Sequence, residues 1–270
     1  MFAIRPASRT VRRDRPDIYP GMLPCRLREQ SCGTLRRLFR DRMHSRDSRL
    51  HKRPYMLFIV RNKRKINSIM PQPISQENLD RALTLLAGRL DLARSEPTRL
   101  VVCGGSALIA MGLRQRTTKD MDVVALMNAA RELVSPDPLP DFLLTAAGQV
   151  ARDLGLFEGW LNNGPSHGEG GLFQMGLPAG FVGRLTEKSY GQRLTVFFIG
   201  RLDQIHFKLY AAADQRDGAH LNDLMALRPS AAELEDAGRW AMTHDVSEGF
   251  KMVLRELLTQ LGYESVAKRI

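Results

Sequence analysis

Two short segments combine residue types that can bind phosphate and metal. The segment Gly104-Gly105-Ser106 follows a β-branched run, and Asp120 and Asp122 open a second apolar run. Because side chains alternate along a strand, both aspartates point to one face, about 7 Å apart. Backbone amides at a glycine turn hold phosphate, and paired carboxylates hold the metal that accompanies it. The two segments therefore predict a site for metal-bound phosphate and direct attention to nucleotides.

The elements that position these segments are predicted to alternate between helix and strand. Ser75 is a favourable N-cap for a first helix, whose apolar stripe runs to Leu92 and which ends before Pro97. The other predicted elements are strands at 100–103 and 120–126, helices at 107–113 and 141–154, a hairpin of 181–190 with 194–199, and helices at 202–213, 221–227, 231–242 and 250–261. This order favours an α/β or α+β fold with a helical C-terminal part.

A glycine-rich stretch at residues 162–171 is predicted to form a flexible loop at the surface. Three aromatic residues flank this loop, and we expect them in the core rather than in a platform that stacks on a base. They are Trp160, Phe173 and Phe181.

The positive charge of the chain is concentrated in its first 70 residues. The whole chain has a formal net charge of +11, which would ordinarily suggest a nucleic-acid partner. Residues 1–70 contain 19 Lys and Arg against 5 Asp and Glu, whereas residues 71–270 contain 21 against 24. The charge of the later part therefore gives no reason to expect DNA or RNA.

Residues 1–70 are predicted to form a basic, disordered arm, because arginines interrupt its apolar periods and prolines recur. Three interpretations of this arm stay open. It is a tail that binds RNA, DNA or anionic lipid, a targeting segment with unusual acidic residues, or an extension translated from upstream of the true start. The rest is predicted to divide into a domain at 71–230 and a helical C-terminal extension at 231–270.

The three cysteines, Cys25, Cys32 and Cys103, show no CxxC spacing. Unpaired thiols suit a reducing compartment, so we expect a cytoplasmic protein. The longest apolar stretch of the arm, residues 55–60, is too short to span a bilayer, and no membrane partner is expected.

The pairing of Gly105-Ser106 with Asp120-Met121-Asp122 resembles the signature of the nucleotidyltransferase superfamily. Residues 116–122, Arg-Thr-Thr-Lys-Asp-Met-Asp, resemble the form found in bacterial abortive-infection toxins of type IV toxin–antitoxin systems. The resemblance covers about residues 75–230, with the motif confined to 104–124. It implies a mixed sheet flanked by helices and a cognate antitoxin as a partner.

The resemblance also implies roles for the motif residues. The backbone at Gly104, Gly105 and Ser106, with the Ser106 hydroxyl, would cradle the triphosphate of an NTP. Asp120 and Asp122 would hold Mg²⁺ or Mn²⁺, which prefer carboxylate and phosphate oxygen. Taken singly, the glycines fit an ordinary turn between a strand and a helix.

The loop before Asp120 supplies further candidate phosphate contacts. Arg116, Thr118 and Lys119 are placed to neutralise or bind phosphate, or they are the solvated end of a loop. Asp120 itself could instead cap the loop or pair with Arg116.

Two residues of the C-terminal half match a later signature of the toxin-like branch. Lys208 resembles its helical lysine, which would contact phosphate, and Asp223 resembles the acid of its next helix. Asp223 would position the acceptor or anchor Lys208. An equally good interpretation is a structural salt bridge between two helices.

Other members of the superfamily carry a third carboxylate on a later strand, and the strand predicted at 194–199 contains no acid. Glu187 alternates into a possible position, but we expect it exposed and paired with Arg184 or Lys188. Among the histidines, we expect His206 to be structural, whereas the role of His220 stays open.

These features predict transfer of a nucleoside monophosphate from an NTP to a hydroxyl of tRNA, protein or a small molecule, with release of pyrophosphate. The alternative is a non-catalytic nucleotide-binding or regulatory protein of the same fold, which the missing third acid favours. A third possibility is that the basic arm is the working part.

Overall fold

A mixed sheet with helices on both faces forms the centre of the protein, as the order of predicted elements indicated. The computed structural model describes residues 70–113, 117–216 and 218–270. The prediction of a disordered arm lies outside this part of the chain, as does Arg116.

The described helices are α1 Gln76–Leu92, α2 Gly104–Ala110, α3 Asp141–Leu154, α4 Leu172–Met175, α5 Arg201–Gln215, α6 Gly218–Ala226, α7 Ala231–His244, α8 Glu248–Gln260 and α9 Glu264–Ala267. The described strands are β1 Thr98–Cys103, β2 Met121–Met127, β3 Leu133–Val134, β4 Leu161–Asn162, β5 Thr186–Ser189 and β6 Leu194–Phe198. Two short 3₁₀ helices lie at Gly164–Ser166 and Phe181–Arg184.

The sheet places the end of β1 beside the start of β2. Its strand order is β3-β2-β1-β6-β5, and β4 pairs with β2. β1 runs parallel to β6 and antiparallel to β2. The register of β1 with β2 pairs Cys103 with Asp122. The glycines that follow β1 therefore lie next to the carboxylate that opens β2.

A β-bulge interrupts the pairing of β1 with β2. The register passes from Val101 opposite Ala125 to Val102 opposite Val123, which leaves Val124 as an extra residue in β2. Such a residue is left out of the regular ladder, so its backbone groups are available to a partner outside it.

Helices α1 and α3 cover one face of the sheet. The Ser75 hydroxyl accepts a hydrogen bond from the Asn78 backbone, which confirms the predicted N-cap. The stripe of α1 is buried against Leu100 and Val102, but Leu92 is 87% exposed and lies outside the core. The predicted helix at 141–154 is confirmed as α3, and Trp160 is a core residue whose indole donates to the backbone of Ala147.

The other face of the sheet packs against α5. Phe207 of α5 and Phe181 lie over Phe197 and Ile199 in a second cluster of buried residues. Phe173 packs partly buried against the same cluster. The three aromatic residues that flank the glycine-rich stretch thus belong to the core, as predicted.

The C-terminal helices share a core with α5. One cluster contains Ile205 and Leu209 of α5 together with Leu234, Leu254 and Val266 of α7, α8 and α9. The described residues belong to a single compact unit. Residues on both sides of position 230, the predicted start of the extension, therefore contribute to the same buried cluster.

Three predicted features need correction. The helix predicted at 107–113 begins earlier and ends earlier, at Gly104–Ala110. The first arm of the hairpin is a 3₁₀ helix before it becomes β5. The glycine-rich stretch contains a fully buried residue, Ser166, so it packs against the sheet instead of lying wholly at the surface.

No helix in the described ranges is both long and apolar enough to cross a bilayer.

Candidate functional site

A cleft of about 420 Å³ opens at the point where β1 ends. One wall is the inner face of α5, the other is the glycine-rich segment 164–172, and the floor is formed by Cys103, Gly104 and Asp122. This volume falls within the range of small-molecule sites in proteins.

Gly104 and Asp122 are in direct contact at the floor. Gly104 has a φ of +71°, a conformation that side-chain-bearing residues adopt with strain. A Cβ at this position would lie 2.5 Å from Oδ2 of Asp122. Both observations require glycine here, and they leave the space beside the carboxylate free.

The two aspartates of the motif repel each other electrostatically. Burial, and after it the charge of Asp120, raise the pKa of Asp122 to about 6 against the opposing effects of Lys208 and Asn162. Such repulsion requires the two carboxylates to lie near each other, although Asp120 precedes the first residue of β2 and does not line the cleft. A divalent cation between them would relieve it, so the residues present fit Mg²⁺ or Mn²⁺.

Lys208 is the buried cation of the cleft. It lies on α5, lines the cleft, and its ammonium is 3.0 Å from Oδ2 of Asp223 on α6. Both side chains are less than one tenth exposed. The predicted bridge between two helices is therefore present, and its lysine is close enough to Asp122 to lower the pKa of that carboxyl.

Ser106 does not face the cleft. It is fully buried, and its hydroxyl donates to the backbone oxygen of Cys103 at 3.4 Å. Gly105 is also buried, inside α2. Of the three residues predicted to cradle phosphate, only Gly104 lines the cleft.

The described residues of the loop before β2 point elsewhere. The backbone of Thr118 pairs with that of Ile74, with hydrogen bonds of 2.7 and 2.9 Å. The Lys119 ammonium lies over the ring of Phe157, 3.7 Å from its centroid. Neither residue lines the cleft.

Glu187 is not a third carboxylate of the site. It is exposed on β5 and pairs with Arg131 at 3.1 Å, not with either expected partner. Arg184 pairs with Asp203 instead, and Lys188 pairs with Asp80. In the described part of the chain, no three His, Cys, Asp or Glu residues are grouped as metal ligands.

The two histidines considered from sequence differ in their surroundings. His206 is buried, with Nδ1 2.8 Å from the Leu202 oxygen and Nε2 3.2 Å from Asp236, which agrees with a structural role. His220 lines the cleft, and its Nε2 is 3.0 Å from Oε1 of Gln215.

Sequence reasoning missed the contribution of Asn162. Strand β4 places Asn162 opposite Asp122, and the two side chains are hydrogen-bonded. Its Oδ1 also accepts from the backbone of Gly164 at 2.8 Å, which connects the floor to the glycine-rich wall. A two-residue strand has no periodicity, so only the Asn-Asn-Gly turn composition marked this position.

Gln204 is a second residue that the sequence did not single out. It is fully buried in the α5 wall, and its amide nitrogen donates to the backbone oxygen of Gly104 at 3.3 Å. Its buried Oε1 has no hydrogen-bond partner within the described ranges. A buried acceptor of this kind is unusual and fits a donor supplied by a ligand or water.

No protein-family model matches this chain, and comparisons with curated protein sequences and with solved structures also give no match.

Proposed function

We propose that this protein is a nucleotidyltransferase: it transfers a nucleoside monophosphate from an NTP to a hydroxyl group and releases pyrophosphate. One observation carries the proposal. Asp122 lies against Gly104 at the floor of a cleft whose wall holds the buried Lys208.

The glycine is needed because phosphate must approach the backbone closely. Any side chain at Gly104 would occupy the space beside the Asp122 carboxylate. The open floor therefore leaves room for phosphate beside the carboxylate that would hold the ion.

Asp120 and Asp122 are the residues that would hold Mg²⁺ or Mn²⁺. The bound ion supplies charge neutralisation and orientation of the phosphates. The raised pKa of Asp122 supports this assignment, because a carboxylate held near another without a cation is costly.

Lys208 would contact phosphate as a point charge from the α5 wall of the cleft. Its pairing with Asp223 holds the buried ammonium in one place beside the cleft. Asp223 is thus assigned as the anchor of Lys208, one of the two roles considered from sequence.

A non-catalytic nucleotide-binding or regulatory protein is the second candidate. Its supporting observation is that only two carboxylates of the motif come together among the described residues, while Glu187 pairs with Arg131. This candidate predicts binding of nucleotide without turnover.

The acceptor, partner and location are part of the same proposal. The hydroxyl belongs to tRNA, a protein or a small molecule, a cognate antitoxin is the proposed protein partner, and the cytoplasm is the proposed compartment. Their support is the toxin-like motif at 116–122 and the unpaired spacing of the cysteines.

The test is transfer of label from α-³²P-labelled NTPs, with Mg²⁺, to the protein itself, to tRNA and to lysate components. Wild type is expected to label one of these acceptors. The variant Asp120→Asn with Asp122→Asn is expected to label none, because it removes both metal-holding charges.

The matched control is Glu96→Gln with Glu158→Gln, which changes the charge equally at two exposed residues outside the cleft. It is expected to behave as wild type. If wild type binds Mg²⁺ and nucleotide yet labels nothing, turnover is rejected in favour of the binding protein.

A further inference from the structure

Asp137 and His167 form a carboxylate–imidazole pair at the cleft. Neither residue was singled out in the sequence. The Asp137 carboxylate accepts from the Asn163 amide at 3.1 Å, from the Gly168 backbone at 2.9 Å, and contacts Nδ1 of His167 at 3.2 Å. Because a carboxylate only accepts, Nδ1 carries the proton and Nε2 is the basic nitrogen.

His167 is held on an anchored wall. The preceding residue, Ser166, is fully buried, and its hydroxyl donates to the Val124 oxygen at 2.7 Å. Val124 is the extra residue of the β2 bulge, two positions beyond Asp122. The same strand therefore positions both the floor of the cleft and the segment that carries the imidazole.

The imidazole also belongs to the cleft that contains the proposed reaction site. His167 lines the same 420 Å³ cleft as Asp122 and Lys208. Its side chain is 75% exposed while that of Asp137 is only 23% exposed, so the carboxylate is sheltered and the ring is accessible. An accessible base oriented by a sheltered carboxylate is the arrangement that general-base catalysis requires.

Other titratable groups of the cleft are less suited to accept a proton. Burial raises the pKa of the Cys103 thiol well above its usual value, and burial also raises that of Tyr210. Nε2 of His220 donates to Oε1 of Gln215, which leaves Nδ1 as its basic nitrogen, and Nδ1 is buried.

The remaining charged groups facing the cleft have other positions or partners. Lys208 is paired with Asp223, and Asp122 is assigned to the metal. Asp214 is exposed six residues beyond Lys208, roughly 9 Å along α5 from it.

We propose that His167 is the general base of the proposed nucleotidyl transfer, on which this assignment rests. Its Nε2 takes the proton of the acceptor hydroxyl as that oxygen forms a bond to the α-phosphorus of the NTP. The bond from phosphorus to pyrophosphate breaks, and pyrophosphate leaves with the electron pair. Asp137 stabilises the imidazolium, which then returns its proton to water.

The first test is the variant His167→Gln, measured with whichever NTP and acceptor wild type uses. Glutamine can still donate to Asp137 but cannot take a proton, so kcat is expected to fall about 100-fold or more with KM for the NTP unchanged. In His167→Ala, added imidazole is expected to restore part of kcat, which a structural role would not allow. Glu158→Gln, an exposed change outside the cleft, is the control.

The second test does not depend on activity and uses Mn²⁺ alone with the full chain. Paramagnetic broadening of the His167 ring protons is expected in wild type, because the imidazole lines the same cleft as Asp122. The variant Asp120→Asn with Asp122→Asn is expected to remove the broadening.

The outcomes distinguish the general-base role of His167 from the proposed nucleotidyl transfer itself. If wild type transfers label and His167→Gln does so equally well, the base assignment is overturned and the proposed function stands. If Mn²⁺ binds without affecting the His167 ring, the assignment is likewise overturned. If wild type transfers no label, the proposed function and the base assignment are both overturned.

Discussion

Asp122 shows how one residue can serve a site at the expense of the fold. The carboxylate is largely buried beside Asp120, and its pKa is raised from 3.8 to about 6. An acid with a raised pKa in the folded state destabilises that state wherever it is ionised in both forms. The ionised Asp122 carboxylate therefore destabilises the folded state, and a bound cation would offset that effect.

The variant Asp122→Asn is expected to be more stable than wild type at pH 8, by up to about 3 kcal/mol, because one pKa unit corresponds to about 1.4 kcal/mol. The advantage should begin to shrink as the pH falls through about 6 and should vanish below about pH 3, where the folded and unfolded states of wild type are both protonated. Urea unfolding of both proteins across this pH range measures the difference.

Mg²⁺ provides the internal control for this prediction. Saturating Mg²⁺ is expected to stabilise wild type and leave Asp122→Asn unchanged, since a ligand that binds only the folded state raises its stability. A variant less stable than wild type at pH 8 would contradict the reasoning.

At the scale of elements, a buried ion pair connects α5 to α6. Lys208 and Asp223 are 3.0 Å apart and almost inaccessible to solvent. Burying two charges is costly, and such a pair stabilises a fold only when the partners satisfy each other. The pair is better explained by the need to hold an ammonium in the cleft than by stability.

The variant Lys208→Met is expected to lose about 3 kcal/mol or more of unfolding free energy, because it leaves the buried Asp223 carboxylate without its cation. Adding Asp223→Leu should recover most of that loss but not nucleotide binding. Chemical denaturation and nucleotide titration of the single and double variants provide the measurement.

The exposed pair of Lys188 with Asp80, 2.7 Å apart and about half exposed, is the matched control. Lys188→Met is expected to cost less than about 1 kcal/mol. Equal losses at the two lysines would show that burial does not govern the α5–α6 pair.

The elements most accurately predicted from sequence have strong local signals. Ser75 and Pro97 delimit α1, and α3 coincides with the prediction, since Asp141 opens it and Gly155 ends it with a left-handed φ of +63°. α2 begins three residues earlier than predicted, and the buried Gly105 in its first turn shows that burial outweighs the low helix propensity of glycine there.

The candidate site was predictable only in part. Asp122, Gly104 and Lys208 line one cleft, and Lys208 pairs with Asp223, whereas Ser106 and Thr118 have partners elsewhere. The wall that carries His167 depends on a hydrogen bond from Ser166 to a strand 42 residues away, which no local pattern encodes. Tertiary contacts of this kind explain why the wall was expected to be a free surface loop.

At the scale of the whole molecule, the C-terminal helices belong to the structure that supports the cleft. Buried residues of α7, α8 and α9 pack on the side of α5 opposite the sheet-facing Phe207. Because α5 carries Lys208 on its cleft-lining face, removal of these helices would expose its other side.

A chain ending at residue 230 is therefore expected to lose cooperative thermal unfolding, as followed by circular dichroism. Within the full chain, Leu254→Ala at a fully buried position should cost about 2–5 kcal/mol. Val246→Ala, at a position 86% exposed, is the control and should change little. Retention of a sharp transition by the truncated chain would show that the first 230 residues suffice.

The β2 bulge has a consequence for how the protein folds. A slip of β2 by one residue would turn Asp122 to the opposite face and carry the Val124 oxygen away from Ser166. The floor and one wall of the cleft would then be lost at once, so a misregistered chain keeps no partial site. Recovery of the proposed Mn²⁺ binding after dilution from denaturant is therefore expected only in molecules whose strands have paired in the native register.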